Sequence, residues 1–402
     1  MINYIRFNNF YSFLDEAEIS FKVGKQPAKS LYDINLKTKN NENIRLNKVI
    51  ATLGANGSGK TQLLKVLPFI SWFISQSAKV LEEDDEIFFN AFQAEEEKAN
   101  TNFEIGFFLE DSNGIFDEYK YKLTLNRKQV YFEGLYIKTS RSFSYIFERN
   151  LEKGTYKQRN FLKNKDASEI RPNVSAISYG NMRQHPVAMK IANFFRNFKF
   201  NVHSQGRVSS SDLDLIKFSE IIYKNESLKN QVVDLLCKFD TGISDIEFEE
   251  ITILNNNNEE KKQVNMAVGV HKYKDKDMKF IFLDESNGTR SALLLMGEIL
   301  PVLNNGGVAI IDELDNDLHP HLLPILLDLF KHKHSNPYDA QIIFSCHTPE
   351  VLNLLYKHQI YMVQKNNQES ESWRLDQVIG LRVDDNIYSK YMSGALDAVP
   401  NV

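Results

Sequence analysis

The stretch Gly54-Ala55-Asn56-Gly57-Ser58-Gly59-Lys60-Thr61 stands between an apolar β-type run at 49–53 and a helix-type run at 62–67. No other feature constrains the fold as tightly. Glycines at this spacing let the backbone turn sharply from a strand into a helix and approach a ligand closely. Successive backbone N–H groups then line one concavity at a helix N-terminus, which favours an anion. Lys60 can reach the β- and γ-phosphates of a nucleotide, and the Thr61 hydroxyl can ligate Mg²⁺. The spacing therefore predicts a strand–loop–helix unit that binds a nucleotide with Mg²⁺.

The chain has 402 residues, enough for one large or two ordinary domains. Its formal charge of −5 carries no global nucleic-acid signature. Locally the balance is uneven. Residues 82–118 are acidic, and residues 120–165 are rich in Lys and Arg. A charge run is more often a solvated face than a binding face, so the basic region 120–165 has two readings, a solvated face or a DNA contact. The two cysteines, Cys237 and Cys346, form neither a metal spacing nor a disulfide framework. The N-terminus lacks the layout of a signal peptide. The most apolar window, 63–75, is too short to span a bilayer and contains Lys65 and Pro68. The expectation is a cytoplasmic protein without a membrane partner.

Patterning gives the order of parts. Two short strands are expected within 2–22, and the phosphate loop and its helix over 49–80, with Pro68 kinking or ending that helix. Period-2 runs at 103–109, 119–125, 130–137 and 143–147 read as an antiparallel meander. Helical patterning covers 182–239. Strands are expected at 246–254, 264–273 and 279–283, with helices at 289–303 and 319–330. Short buried strands fall at 308–311, 342–344 and 360–363. Buried strands alternating with helices imply a mainly parallel sheet. The expected division is an N-terminal lobe over 1–180, a helical insertion over 181–245 and a C-terminal lobe over 246–402.

Three further clusters carry chemistry. The apolar run 308–311 ends in Asp312-Glu313. Such a strand delivers Asp312 to its tip, where it can hold Mg²⁺ through water, and puts Glu313 where a carboxylate can polarise an attacking water. The apolar run 342–344 ends in Ser345-Cys346-His347-Thr348, with His347 able to hydrogen-bond a γ-phosphate. Ser286-Asn287-Gly288 opens a helix. It reads either as a plain N-cap or as a second anion site serving the phosphates of another subunit. His319 and His321 are two apart at a helix start and do not face together, so a metal pair is not expected. Pro320 reads as a helix-start signal.

In this order, the phosphate loop, Ser286-Asn287-Gly288, Asp312-Glu313, Asp315 and His347 resemble the ABC-type ATPase heads: the SMC-like repair ATPases, RecF and the OLD-type proteins. The opening Asn9-Phe10-Tyr11-Ser12-Phe13 looks like their Asn-Phe-(Lys/Arg)-Ser-Phe strand, with Tyr11 in the basic position. The resemblance is closest to the short AAA-type ATPases of bacterial defence loci, of the RloA, AbiL, PtuA and AriA kind. The residues that carry it are 285–289, 312–320, Tyr391-Met392-Ser393-Gly394 and Val399-Pro400.

That resemblance implies an α/β, ABC-type P-loop ATPase head with an antiparallel β-meander, a mainly parallel core sheet and a helical insertion. It implies ATP and Mg²⁺ as ligands, Thr61 and Asp312 on Mg²⁺, Glu313 as catalytic base and His347 as switch histidine. Ser286 and Gly288 would form the signature loop acting across a dimer, and Asp315 would be the D-loop residue. Gln184, after an apparent strand at 174–178, is the candidate Q-loop ligand of the metal.

Two heads sandwiching ATP are therefore expected. The sensor and scaffold of a phage-defence system, controlling a separate effector protein, is the leading reading. A RecF-like repair ATPase acting directly on DNA is the alternative. The interval between Thr61 and Ser286 is too short for an SMC-length coiled-coil arm, and the 55 residues after His347 are too few for the Toprim domain of OLD-type nucleases. The chain itself is not expected to cut nucleic acid. The segment 181–245 and the tail after Gln364 are the expected docking surfaces for the effector.

Overall fold

A computed structural model describes the chain except for residues 25–28, 93–99, 205, 208–210, 255–260, 317, 318, 320, 383, 384 and 397–402. It divides into two compact units. The first comprises Met1–Arg207, Val302–Leu314 and Leu329–Val402, and the second Val208–Pro301 and Asp315–Asp328. The lobes expected from sequence have different boundaries. Residues 181–207 belong to the first unit, because Ile191, Ala192 and Phe195 of the helix Pro186–Arg196 are buried in its core. The second unit is not wholly helical, because it carries a sheet of its own.

The first unit is built on two sheets. One is antiparallel with seven strands, in the order Thr155–Gln158, Phe143–Asn150, Val130–Lys138, Phe116–Leu125, Thr101–Glu110, Ile2–Asn8 and Ala17–Ser20. This is the expected meander extended at both ends. Alternation places Phe103, Ile105 and Phe107 of one strand, with Tyr119, Tyr121 and Leu123 of its neighbour, in the core. The other sheet has six strands, in the order Lys199–Phe200, Val308–Ile311, Gln341–Ser345, Val49–Leu53, Ile360–Asn366 and Glu369–Arg374. Every pairing is parallel except the last.

Helix Val66–Val80 is buried almost all round, as expected for a helix enclosed by other elements. Its residues join those of both sheets in one core that includes Phe7, Ile50, Phe73, Phe195 and Ile343. The expected break near Pro68 is present, three residues ahead of the proline itself. The loop helix, Lys60–Leu64, stops first, and Pro68 falls in the first turn of the next. A proline ring crowds the carbonyl four residues upstream, here Leu64, which places the interruption at Lys65.

In the second unit, helices Asp212–Tyr223 and Glu226–Lys238 pack on a three-stranded antiparallel sheet, Ile243–Leu254, Lys261–Tyr273 and Lys276–Ile281. Ring contact between Tyr223 and Phe248, and the Ser219 hydroxyl 3.5 Å from Met266 Sδ, mark that packing. Asn225 caps the second helix by accepting from Leu228 N–H at 3.0 Å. Among the described residues no helix is long and apolar enough to cross a membrane.

Candidate functional site

The phosphate loop leaves a strand that is central in the parallel sheet and buried at every residue, Val49–Leu53. Two glycines are sterically required. A Cβ on Gly54 would lie 2.0 Å from the Val363 carbonyl oxygen. A Cβ on Gly59, where φ is +112°, would lie 2.4 Å from Ser370 Oγ. Ser370 explains how the loop is held. Its hydroxyl donates to Ser58 O at 2.7 Å and shares a 2.6 Å hydrogen bond with the Ser12 hydroxyl. Ser12 N–H also donates to Gln62 Oε1 at 3.1 Å. The loop is thus braced from the N-terminal Asn-Phe-Tyr-Ser-Phe turn and from the last strand of the sheet. Gly59→Ala is expected to lower nucleotide affinity at least tenfold and, because the added methyl is strained at this φ and meets Ser370, to lower the melting temperature as well. Titration with a fluorescent ATP analogue, beside a melting curve, checks this.

Lys60 is buried, and its Nζ donates to Gly54 O at 2.7 Å and Ala55 O at 3.0 Å. The ammonium therefore lies inside the curl of the loop. Thr61 Oγ1 donates to Asp312 Oδ2 at 2.8 Å. Parallel pairing explains this meeting across 251 residues. Val308–Ile311 lies two strands from Val49–Leu53, so both strands release their C-terminal residues at the same sheet edge.

Asp312 is 1% exposed and fully engaged. Ser345 Oγ donates to Asp312 Oδ1 at 2.5 Å. Asn201 clamps the Asp312 backbone, accepting from its N–H at 2.7 Å and donating to its carbonyl at 3.0 Å. Glu313 has φ of +52°, unusual for a side chain of its size, and its N–H donates to Ser345 Oγ at 2.8 Å. Its Oε1 lies 3.8 Å from His347 Nε2, and its Oε2 is 2.7 Å from Arg207 Nη1. Residues 56–62, Asp312, Glu313, His347 and Lys365 line one cavity of about 390 Å³. A hydroxyl and a carboxylate in contact, beside an N–H-lined loop and a lysine, suit Mg²⁺ and the phosphates it accompanies.

The structure thus brings together residues 56–61, Asp312, Glu313 and His347, and adds Gln62 and Lys365. Gly54 and Ala55 shape the loop through their carbonyls, which accept from Lys60. Ser286, Gly288 and Asp315 lie on the second unit. There the Ser286 hydroxyl accepts from Thr289 N–H at 3.2 Å, at the start of helix Asn287–Asn305. Pro320 lies outside the described residues, and the helix expected from 319 begins at Leu322.

Gln184 is not brought to this cavity. The apparent strand at 174–178 is instead the start of helix Ala176–Met182, because Ser175 Oγ accepts from Ile177 and Ser178 N–H as an N-cap. Gln184 is exposed beyond that helix. The strand that runs beside Val308–Ile311 is Lys199–Phe200, and the polar side chain that it delivers to Asp312 is Asn201. Asn201 lies next to a two-residue strand too short to show any period, so pattern reading passed it over. Ser370 is equally silent, since it acts through Ser58 and Ser12, 312 and 358 residues away, whereas Ser12 stands in the opening Asn9–Phe13 motif. Ser345 was legible, as the first polar residue after an apolar strand.

The basic region 120–165 is not one free cationic face. Lys122 pairs with Glu104 at 2.9 Å, and Lys138 with Glu42 at 2.8 Å and Glu118 at 3.0 Å. Lys120 lies over the Phe143 ring and Arg159 over Tyr145. Arg149 is buried, donating to the carbonyls of Val174 and Arg171, and burial holds its pKa below the usual value. Of the tail after Gln364, the part up to Arg374 is built into the six-stranded sheet. Ile360–Asn366 and Glu369–Arg374 are sheet strands, and Ser370 braces the phosphate loop.

Residues 51–353 match the family described as "AAA domain, putative AbiEii toxin, Type IV TA system". The chain belongs to this AAA family. It is therefore an ATP-binding P-loop domain of the AAA type, in agreement with the strand–loop–helix and the Thr61–Asp312 pair. No curated protein matches the chain. Among solved structures, this AAA-family chain is similar to an SMC head bound to the C-winged helix domain of ScpA. That pair shares 14% identity at a TM-score of 0.49, over 94% of this chain and 99% of the other. It is also similar to the SMC head domain from Thermotoga maritima, with 12% identity and a TM-score of 0.44 over 93% and 98%. A third similar structure is the Pyrococcus furiosus Smc head domain with an extended coiled coil, bound to the C-terminal domain of ScpA. It shows 14% identity and a TM-score of 0.43 over 94% and 97%.

Proposed function

We propose that this chain hydrolyses ATP, assembles through ATP sandwiched between two copies, and uses that assembly to control a separate effector, a nuclease, in bacterial anti-phage defence. The contact that carries the chemistry is Thr61 Oγ1 to Asp312 Oδ2 at 2.8 Å, beside the buried Lys60. Backbone N–H groups of the loop and Lys60 hold the β- and γ-phosphates. Mg²⁺, when bound, is held by Thr61 and Asp312 and draws charge off the phosphate oxygens. Glu313 accepts a proton from the attacking water as water oxygen bonds to the γ-phosphorus. The bond from that phosphorus to the β,γ-bridging oxygen breaks, giving ADP and phosphate. His347 Nε2 stands 3.8 Å from Oε1 of Glu313 and would contact the γ-phosphate.

Ser286, Gly288 and Asp315 would act on the nucleotide held by another copy. ATP contacts shared by two copies favour the closed pair, and loss of the γ-phosphate releases it. The family description, which names a toxin of a type IV toxin–antitoxin system, supports a place in a two-part toxic system. In the proposed division of labour the ATPase switches and the effector cuts.

The dimer reading has a direct test. Ser286→Arg is expected to keep ATP binding in each copy but abolish assembly and turnover. Mixing it with a Lys60→Ala variant assembles one intact composite site per dimer and should recover a measurable fraction of hydrolysis. A mixture as inactive as its parents, under conditions where sedimentation shows mixed dimers, contradicts the trans arrangement.

A further inference from the structure

Arg207 was not singled out by any motif, yet it makes the shortest contact to the Glu313 side chain among the described residues. Its Nη1 donates to Glu313 Oε2 at 2.7 Å, whereas His347 Nε2 stands 3.8 Å from Oε1. Arg207 does not line the phosphate cavity, which Glu313 does. The guanidinium therefore engages Oε2, while Oε1 is the oxygen on the His347 side. Arg207 Nε is buried and has no hydrogen-bond partner among the described residues, so the Glu313 carboxylate is what compensates this partly buried cation.

The mount that presents Arg207 is built with unusual thoroughness for so short a hairpin. Val202 pairs with Arg207 and His203 with Gly206, where φ of +117° suits a glycine. At its near end, Asn201 is locked to both backbone groups of Asp312. At its turn, the Ser204 carbonyl accepts from Lys65 Nζ at 2.8 Å and from Tyr11 Oη at 3.0 Å. Lys65 in turn lies over the Tyr11 ring at 4.2 Å and is 8% exposed. The hairpin is thus tied to the N-terminal turn, to the junction after the loop helix and to the acidic strand tip. Glu313 itself sits at φ of +52°, a strained conformation that persists where surroundings impose it. The Ser345 hydroxyl fixes its N–H from one side, and Arg207 fixes its carboxylate from the other.

We propose that Arg207 is a positioning residue for ATP hydrolysis: it holds Oε2 of Glu313 so that Oε1 alone faces the attacking water. The inference rests on reading Glu313 as the base. A freely rotating carboxylate would share its time between several rotamers, and a bidentate-capable cation fixed behind it removes that freedom. Arg207 does not line the phosphate cavity, so its role is expressed in turnover and not in nucleotide affinity.

The test uses full-length protein and MgATP. Arg207→Ala is expected to lower kcat about tenfold to a hundredfold while the ATP dissociation constant stays within about twofold. Added guanidinium ion at low millimolar concentration, or Arg207→Lys, should restore part of the loss. In a Glu313→Gln background the same substitution should change nothing further, because the group that it positions is already disabled. Three outcomes overturn the inference. One is a rise in kcat, which would make the pair a brake. Another is wild-type turnover by Arg207→Ala when Glu313→Gln is inactive. The third is a joint loss of affinity and turnover without rescue, which would mark a structural salt bridge. Wild-type turnover by Glu313→Gln itself would instead sink the base assignment, whatever Arg207 does.

Discussion

Lys60→Ala is expected to weaken MgATP binding about a hundredfold or more, as read by isothermal titration, and to remove measurable hydrolysis. Hydrogen bonds to an ionised group contribute about 1.5–3 kcal/mol each, and one ammonium here meets oxygens of two phosphates. A loss of about 2.7 kcal/mol already corresponds to a hundredfold in the dissociation constant. Burial sharpens the argument. Lys60 is 6% exposed, with Gly54 O and Ala55 O as acceptors, so the cation is held in the loop before any ligand arrives. Removing it leaves the Gly54 and Ala55 carbonyls without that donor and weakens the positive field of the loop. The fold should survive, since the loop remains tied through Ser58, Ser370 and Ser12. Unchanged nucleotide affinity in a folded Lys60→Ala protein would mean that this loop is not the phosphate site.

Glu313→Gln should separate binding from turnover. The amide keeps the shape of the side chain but cannot take a proton, and loss of a positioned base typically costs about 10²–10⁴ in rate. Nucleotide affinity should hold, because Asp312, Thr61 and Lys60 are untouched. If hydrolysis is what opens the sandwich, this variant should also accumulate as ATP-bound dimers or larger assemblies on size exclusion, and ADP should not produce them. Turnover at the wild-type rate would move the base role elsewhere, with His347 the nearest candidate at 3.8 Å. Hydrolysis lost without any accumulated assembly would leave the base assignment standing and count against the ATP-driven dimer.

Much of this protein could be read from its residues in order. The phosphate loop, the apolar run into Asp312-Glu313 and the apolar run into His347 are local patterns, and each strand–tip geometry follows from a few adjacent residues. The meander was equally legible, since period-2 alternation in strands buried on one face states which side chains point inward. Errors came where the local signal was short or shared. Residues 174–178 look extended by composition, but one serine hydroxyl caps a helix there, and Gln184 went with the wrong strand. Lys199–Phe200 is two residues long, too brief for any period, yet it is what sets Asn201 beside Asp312. Within 120–165, the pairing of Lys122, Lys138 and Arg149 with acids or carbonyls is likewise announced by no local pattern.

What the sequence by itself determined, then, is the chemistry of the loop and of the strand tips, because those residues are marked by patterns a few positions long. What only the tertiary structure decided is which distant groups hold that chemistry in place. Ser370 on the Ser58 carbonyl, Asn201 on the Asp312 backbone and Arg207 on the Glu313 carboxylate each span more than a hundred residues. Serine, asparagine and arginine are common on any surface and carry no period of their own. Their roles arise from strand order, which is set by the collective burial of two sheets around one helix and by no single stretch of chain.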